Sequence, residues 1–184
     1  MAEVAAAAPG AGAINPAIAA KLPQGIGSLN DVVDFQKVVC LNGTHRDPAS
    51  VFRQGNTSVL SSDADEQLLI TVEFTESVKL HGISIVAPGG DSAPATVKLF
   101  NNPGGEMDFS NAESDKPTQQ LELELEDCTS DSFNNLQFVK FQNTYKLVIF
   151  IEDNAGADST ELTNIELFGK KRAGFNMGEL KKVG

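Results

Sequence analysis

The chain contains no tryptophan, one tyrosine, two cysteines and two histidines in 184 residues. Each scarcity removes a class of chemistry. Sugar-binding sandwiches often stack an exposed aromatic ring on their ligand, and here Tyr145 and the phenylalanines must serve without any indole. Cys40 and Cys128 lie far apart and form no CxxC pair. They read as two free, inert thiols in a reducing compartment, cytoplasmic or also nuclear, with a Cys40–Cys128 disulfide as the lesser alternative. His45 and His81 fall in no HxxxH, HxH or HExxH spacing, whereas zinc needs three or four ligands gathered in one place. No GxSxG elbow marks a nucleophile. The pairs Gly89-Gly90 and Gly104-Gly105 follow Pro88 and Pro103 as loops, without GxGxxG or Walker spacing. No apolar run approaches the ~18 residues that span a bilayer. These absences predict no cofactor, no metal, no catalytic set and no membrane partner.

Positive charge is also scarce, and it is unevenly placed. The formal net charge is −11. Residues 1–169 carry 24 acids against nine bases, a net of −15, and residues 170–184 carry five bases against one acid, a net of +4. So acidic a body repels phosphate backbones, which excludes nucleic acid as its partner. The basic residues Lys170, Lys171, Arg172, Lys181 and Lys182 are the candidate partner-binding set, since they could attract an acidic surface. A solvated tail is the plainer reading of the same charges.

The opening residues, MAEVAAAAPGAGAINPAIAAKLPQG, have no basic n-region, and Pro9, Gly10, Gly12 and Pro16 interrupt their apolar part. Residues 1–28 therefore read as a flexible Ala/Gly/Pro tail, and residues 29–184 as one domain that includes the basic C-terminal tail. A core of that size folds without disulfides or metal. Asn42-Gly-Thr and Asn56-Thr-Ser match the glycosylation sequon, which has no consequence without secretion.

What the chain does have is β pattern. Leu136–Ile151, LQFVKFQNTYKLVIFI, holds two apolar runs rich in aromatic and β-branched residues, joined by a short polar segment. It predicts a hairpin, and the unalternating Leu147–Ile151 predicts a strand covered on both faces. Leu68–Phe74, Val78–Val86, Ala95–Phe100 and Glu161–Phe168 read as further strands. Val78 and Leu80 share a face, Ile83 and Ile85 keep the period in the opposite phase, and the slip predicts a bulge at His81-Gly82. Leu121, Leu123 and Leu125 alternate with glutamates as a strand with one dry face. Asp31 caps one predicted helical turn ahead of Val32, Val33 and Phe35. Val51 and Phe52 anchor a loop, and Met107 to Ala112 form a partly packed excursion. Seven or eight short strands at intervals of roughly 8 to 15 residues make a sandwich or jelly-roll signature. Asp63-Ala-Asp65-Glu66 and Glu152 to Asp158 offer clustered oxygens, but neither has the alternate ligand spacing of a calcium loop, so both read as solvated acidic turns.

The order and spacing of SSDADEQLLITVEF, TVKLFNN, MDFSNAESDKPTQQLEL, LQFVKFQNTYKLVIFIEDN and LTNIELFG resemble the PITH domain family. Cys40-Leu41-Asn42 matches that family's Cys-Leu-Asn, although Val39 stands where the family usually has Glu. The resemblance runs from about Asp31 to Lys182. It implies an all-β, jelly-roll-type β-sandwich similar to galactose-binding-like domains. It also implies a non-catalytic interaction domain associated with the 26S proteasome, and, in the thioredoxin-containing member, redox chemistry confined to the other half. Three further readings stand beside it: a small-ligand or carbohydrate-binding module by fold analogy, a fixed subunit of a cytoskeletal assembly, and an enzyme of unrecognised kind. The last would need a cleft lined by two or more titratable groups with strongly shifted pKa values.

Overall fold

The computed structural model describes residues 14–44 and 46–172. Ten strands stand in chain order: β1 Gly27–Ser28, β2 Val39–Leu41, β3 Leu60–Ser61, β4 Leu68–Val86, β5 Pro94–Asn101, β6 Gln119–Glu122, β7 Asn134–Asn135, β8 Thr144–Asn154, β9 Glu161–Leu162 and β10 Asn164–Lys171. Two short helices, α1 Pro16–Ala19 and α2 Phe109–Ser114, accompany them.

The long strand β4 joins two layers. Its first half pairs with β8 from Leu68↔Ile151 to Glu73↔Lys146, and β2 lies on its other side. β5 and β6 continue that first sheet beyond β8. The ladder to β8 breaks between Glu73 and Val78, yet Leu68–Phe74 and Val78–Val86, expected as two strands, run on as one. Its second half pairs with β10 and β7, and β1 extends this second sheet beyond β10. Ile70, Val72, Val97, Leu99, Leu147, Ile149 and Ile151 of the first sheet meet Val78, Leu80, Ile83, Ile85, Ile165 and Leu167 of the second in one buried cluster. Side chains alternate across a strand, so each sheet contributes one face to this middle.

The central strand has a second dry face. Val148 and Phe150 of β8, with Leu69 and Phe100, pack under Met107, Phe109 and Ala112. The 107–112 excursion is therefore the lid of the first sheet. Asp108 starts α2 through a reciprocal capping box with Asn111, and the Phe109 ring meets Phe150 edge to face at 6.0 Å. Lys98 pairs with Glu152 at 2.8 Å beside them.

The slip at His81-Gly82 is real. Phe168 faces Gly82 and Gly169 faces Leu80, which leaves His81 as the extra residue. A β-carbon on Gly169 would lie 1.9 Å from the Lys79 carbonyl oxygen, and one on Gly82 would lie 2.1 Å from Cε2 of the Phe133 ring. Both glycines are close-approach positions.

Four further expectations need correction. Residues 15–28, expected in the tail, belong to the folded body. Asn15 caps α1 and donates to Ser130 O (2.9 Å) and Asp131 Oδ1 (2.8 Å), Ile18 is buried, and β1 pairs with β10. Leu136–Phe141 is no strand: Phe138–Lys140 is a 3-10 turn that exposes Phe138 and Val139. The Leu/Glu alternation forms a strand only over Gln119–Glu122; after the Leu123 N–H bonds Ala95 O (2.7 Å), the chain turns into a 3-10 segment and Leu125 is left outside. The turn after Ser28 is two 3-10 turns, Asn30–Val32 and Phe35–Lys37, and Asp34 rather than Asp31 supplies a cap, to Gln36 N. The Val51–Phe52 anchor holds, in a 3-10 turn spanning Pro48–Phe52.

Candidate interaction surface

The outer face of the second sheet carries the chemistry of interest, and strand register decides what stands there. From one end to the other, register pairs Glu166 with Ser84, Phe168 with Gly82, and Lys170 with Lys79. The middle is closed: Phe133 lies over Gly82 and meets Phe168 edge to face at 5.6 Å. The two ends are open and differ in character.

At the Lys79–Lys170 end, the bulged His81 ring stacks on Phe138 at 4.9 Å and 7°. Burial, then the charges of Lys170 and Lys79, hold His81 below the usual imidazole range, so the ring is uncharged at neutral pH and presents a flat face to Phe138. Phe138 is 46% exposed and Val139 beside it 68%. Lys140 follows, its Nζ donating to Thr118 O (3.3 Å). Asn143 ties the end together: its side chain accepts from Arg172 Nη1 (2.7 Å) and from Ser77 Oγ, and its carbonyl accepts from Asn102 Nδ2 (2.6 Å). Lys79 and Lys170 have no ion pair among the described residues. The result is an apolar patch rimmed by cations on a chain of net charge −11.

The candidate basic residues divide accordingly. Lys170 stands in the patch. Lys171 is turned away to Asp31, at 2.9 Å, and Arg172 is spent on Asn143. Lys181 and Lys182 lie outside the described residues, as does His45. Sequence reasoning missed Lys79, His81, Phe138, Val139 and Lys140. The polar residues Asn134, Asn135, Gln137 and Lys140 that interleave the apolar ones were the available sign that Phe138 and Val139 belong to a surface turn.

At the other end, over Glu166 and Ser84, lies a cleft of about 750 Å³ walled by α1, the Phe35 turn and Arg53 to Asn56. Burial raises the Glu166 carboxyl above its ordinary range, partly offset by a hydrogen bond from Ser28.

The remaining candidates are structural. Burial pushes the Cys40 thiol up to about 12 and, with help from the Asp127 charge, the Cys128 thiol up to about 11, so both stay protonated at neutral pH. Both are free. In the acidic turns, Asp65 Oδ1 accepts from Asn42 Nδ2 and Gln67 N, and Asn154 bonds Ser159 O, Thr160 Oγ1 and Gly156 N, which commits these side chains to holding loops. The amide nitrogens of both sequon asparagines are also engaged, Asn42 Nδ2 with Gln67 O (2.7 Å) and Asn56 Nδ2 with Thr163 O (2.7 Å).

These layers are those of galactose-binding-like β-sandwiches. The structure is similar to a family 32 carbohydrate-binding module of Clostridium perfringens NanJ, solved in complex with galactose, at a TM-score of 0.54 and 10% identity over 74% of this chain and 98% of that one. It is also similar to the tandem modules of C. perfringens ZmpB, solved in complex with GalNAc, at a TM-score of 0.59 and 9% identity over 86% of this chain and 39% of that one. Such identities define the fold alone. Within that class, residues 19–184 match the PITH domain, and the chain belongs to the PITH domain family. It is 38% identical over 181 residues to thioredoxin-like protein 1 of Schizosaccharomyces pombe, covering 96% of this chain and 62% of the relative. It is 34% identical over 144 residues to human PITH domain-containing protein 1, covering 75% of this chain and 67% of the relative.

Proposed function

We propose that this chain is a non-catalytic protein-interaction domain that docks on a large protein assembly through the aromatic and basic end of its second sheet. The observation that carries the reading is the juxtaposition of exposed Phe138 and Val139 with Lys79 and Lys170, cations without an acidic partner among the described residues. Aromatic anchors with a charged rim are the usual composition of a protein interface. The partner surface is then acidic with an apolar recess, and the 26S proteasome is the assembly the family resemblance implies. The free, unreactive Cys40 and Cys128 support a reducing location, cytoplasmic or also nuclear. Among the described residues, Glu166 is the one group lining the cleft with a shifted pKa, which falls short of the paired titratable groups that acid–base chemistry requires.

Co-sedimentation of the full chain with purified 26S proteasome tests this. The expected result is association that is lost in Phe138→Ser/Val139→Ser while the thermal midpoint is kept. Failure of the unaltered chain to co-sediment removes the proteasome as partner. Identification of cytoskeletal proteins in an affinity pull-down would favour a cytoskeletal subunit instead. A carbohydrate reading has the printed ligands of the structural neighbours behind it, but Tyr145 is absent from the cleft lining.

A further inference from the structure

We propose that the cleft over Glu166 and Ser84 is a binding site for a small organic monocation, an alkylammonium or amidinium head on an apolar stem. Nothing in the docking reading requires this site; it occupies the opposite end of the same sheet face.

The floor is built by register. Glu166 and Ser84 are cross-strand partners, so their side chains stand next to each other on the outer face. Ser84 is only 2% exposed, yet its hydroxyl has no hydrogen bond among the described residues. The Ser84 hydroxyl lines the cleft and is open to an incoming donor or acceptor. Glu166 forms no ion pair either.

The other charges around the cleft are already matched. Asp31 is held by Lys171 at 2.9 Å. Arg53 lies 5.1 Å over the Phe35 ring and forms an ion pair with Asp47. The uncompensated charge in the lining is thus the single negative one on Glu166, beneath apolar walls that include Ile18, Phe35 and Val86. One positive charge on an apolar body complements that arrangement. The hydroxyls of Ser84 and Ser28 can accept the remaining N–H donors of the head group. At about 750 Å³ the space fits a small molecule rather than a protein surface.

The test is a titration of the isotope-labelled full chain with benzylammonium and with its neutral analogue benzyl alcohol, following backbone amide shifts. Benzylammonium is expected to saturate, to move the amides of Ser84, Val86 and Glu166, and to bind about tenfold more tightly than the alcohol, about 1.4 kcal/mol. Glu166→Gln is expected to erase that preference while the amide spectrum elsewhere is unchanged. Equal affinity for the two probes overturns the proposal, as does the absence of saturable shifts at these amides. The comparison on the unaltered chain decides the matter even where Glu166→Gln perturbs the fold. Neither outcome bears on proteasome association, which is read at the other end of the face.

Discussion

Glu166 shows how a single side chain can stand against the stability of its own fold. Burial raises its carboxyl pKa, so the folded state prefers the proton that the unfolded chain readily gives up. For a group whose folded pKa is raised, the favourable contribution is present at low pH and is lost as pH rises through the folded pKa. At neutral pH the ionised, partly desolvated carboxylate therefore opposes folding. Glu166→Gln is expected to be more stable than the parent at pH 7, with the gain shrinking as pH falls into the carboxylate range; urea unfolding of both proteins across pH checks this. An unchanged difference at every pH would contradict it. The glutamate itself was legible in the sequence only as a polar position between Ile165 and Leu167. Its neighbours Ser84 and Ser28 are distant in the chain and meet it only through pairing of β4 and β10 and of β1 and β10. The bulge one step along was legible, because a slip in hydrophobic phase beside a glycine is a local signal.

At the scale of the element, local pattern succeeded where the element sits deep and failed where it crosses between layers. Leu147–Ile151 has no alternation because both faces of β8 are covered, one by the common core and one by the α2 lid. That lid depends on its start. Asp108→Ala removes the side chain that accepts from the Asn111 N–H, at a cost of about 1 kcal/mol by the behaviour of helix N-caps. Phe109→Ala uncovers Phe150, a change expected to cost more than the cap because an aromatic contact and apolar burial go together. Chemical denaturation of the two variants should rank them in that order; a larger loss from the cap would put the lid's stability in the backbone instead. Leu136–Phe141 has every residue type of a strand, yet it must carry the chain from β7 on the second sheet to β8 on the first. Leu136 and Phe141 are buried at its ends and the turn between them throws Phe138 and Val139 outward. Propensity describes fitness for a pleated surface, and it is silent on whether a neighbouring strand is available. The same limit explains Leu125, where the ladder to β5 ends before the alternation does.

For the whole molecule, charge is the property that survives averaging. A chain at −11 with cations gathered beside an apolar patch is polarised, and under the docking proposal those cations orient the patch toward an acidic partner surface. Association measured through the docking surface should weaken as salt rises, chiefly in its on-rate, and Lys79→Glu/Lys170→Glu should lower the rate and flatten the salt dependence. Stopped-flow or surface-based kinetics across ionic strength provides the check, and a salt-independent rate would remove the electrostatic part of the reading. Alternation, turn residues and the even spacing of apolar runs determined from the sequence alone that this chain is a β-sandwich with a core of its own, because those signals are local and repeat along the backbone. Only the tertiary structure decided which polar residues share a face. Register across β4 and β10 set Lys79 against Lys170 and Ser84 against Glu166, and a connection between sheets turned two strand-forming side chains into surface. Contacts between residues remote in the chain have no periodic trace in it, and both candidate sites are made of such contacts.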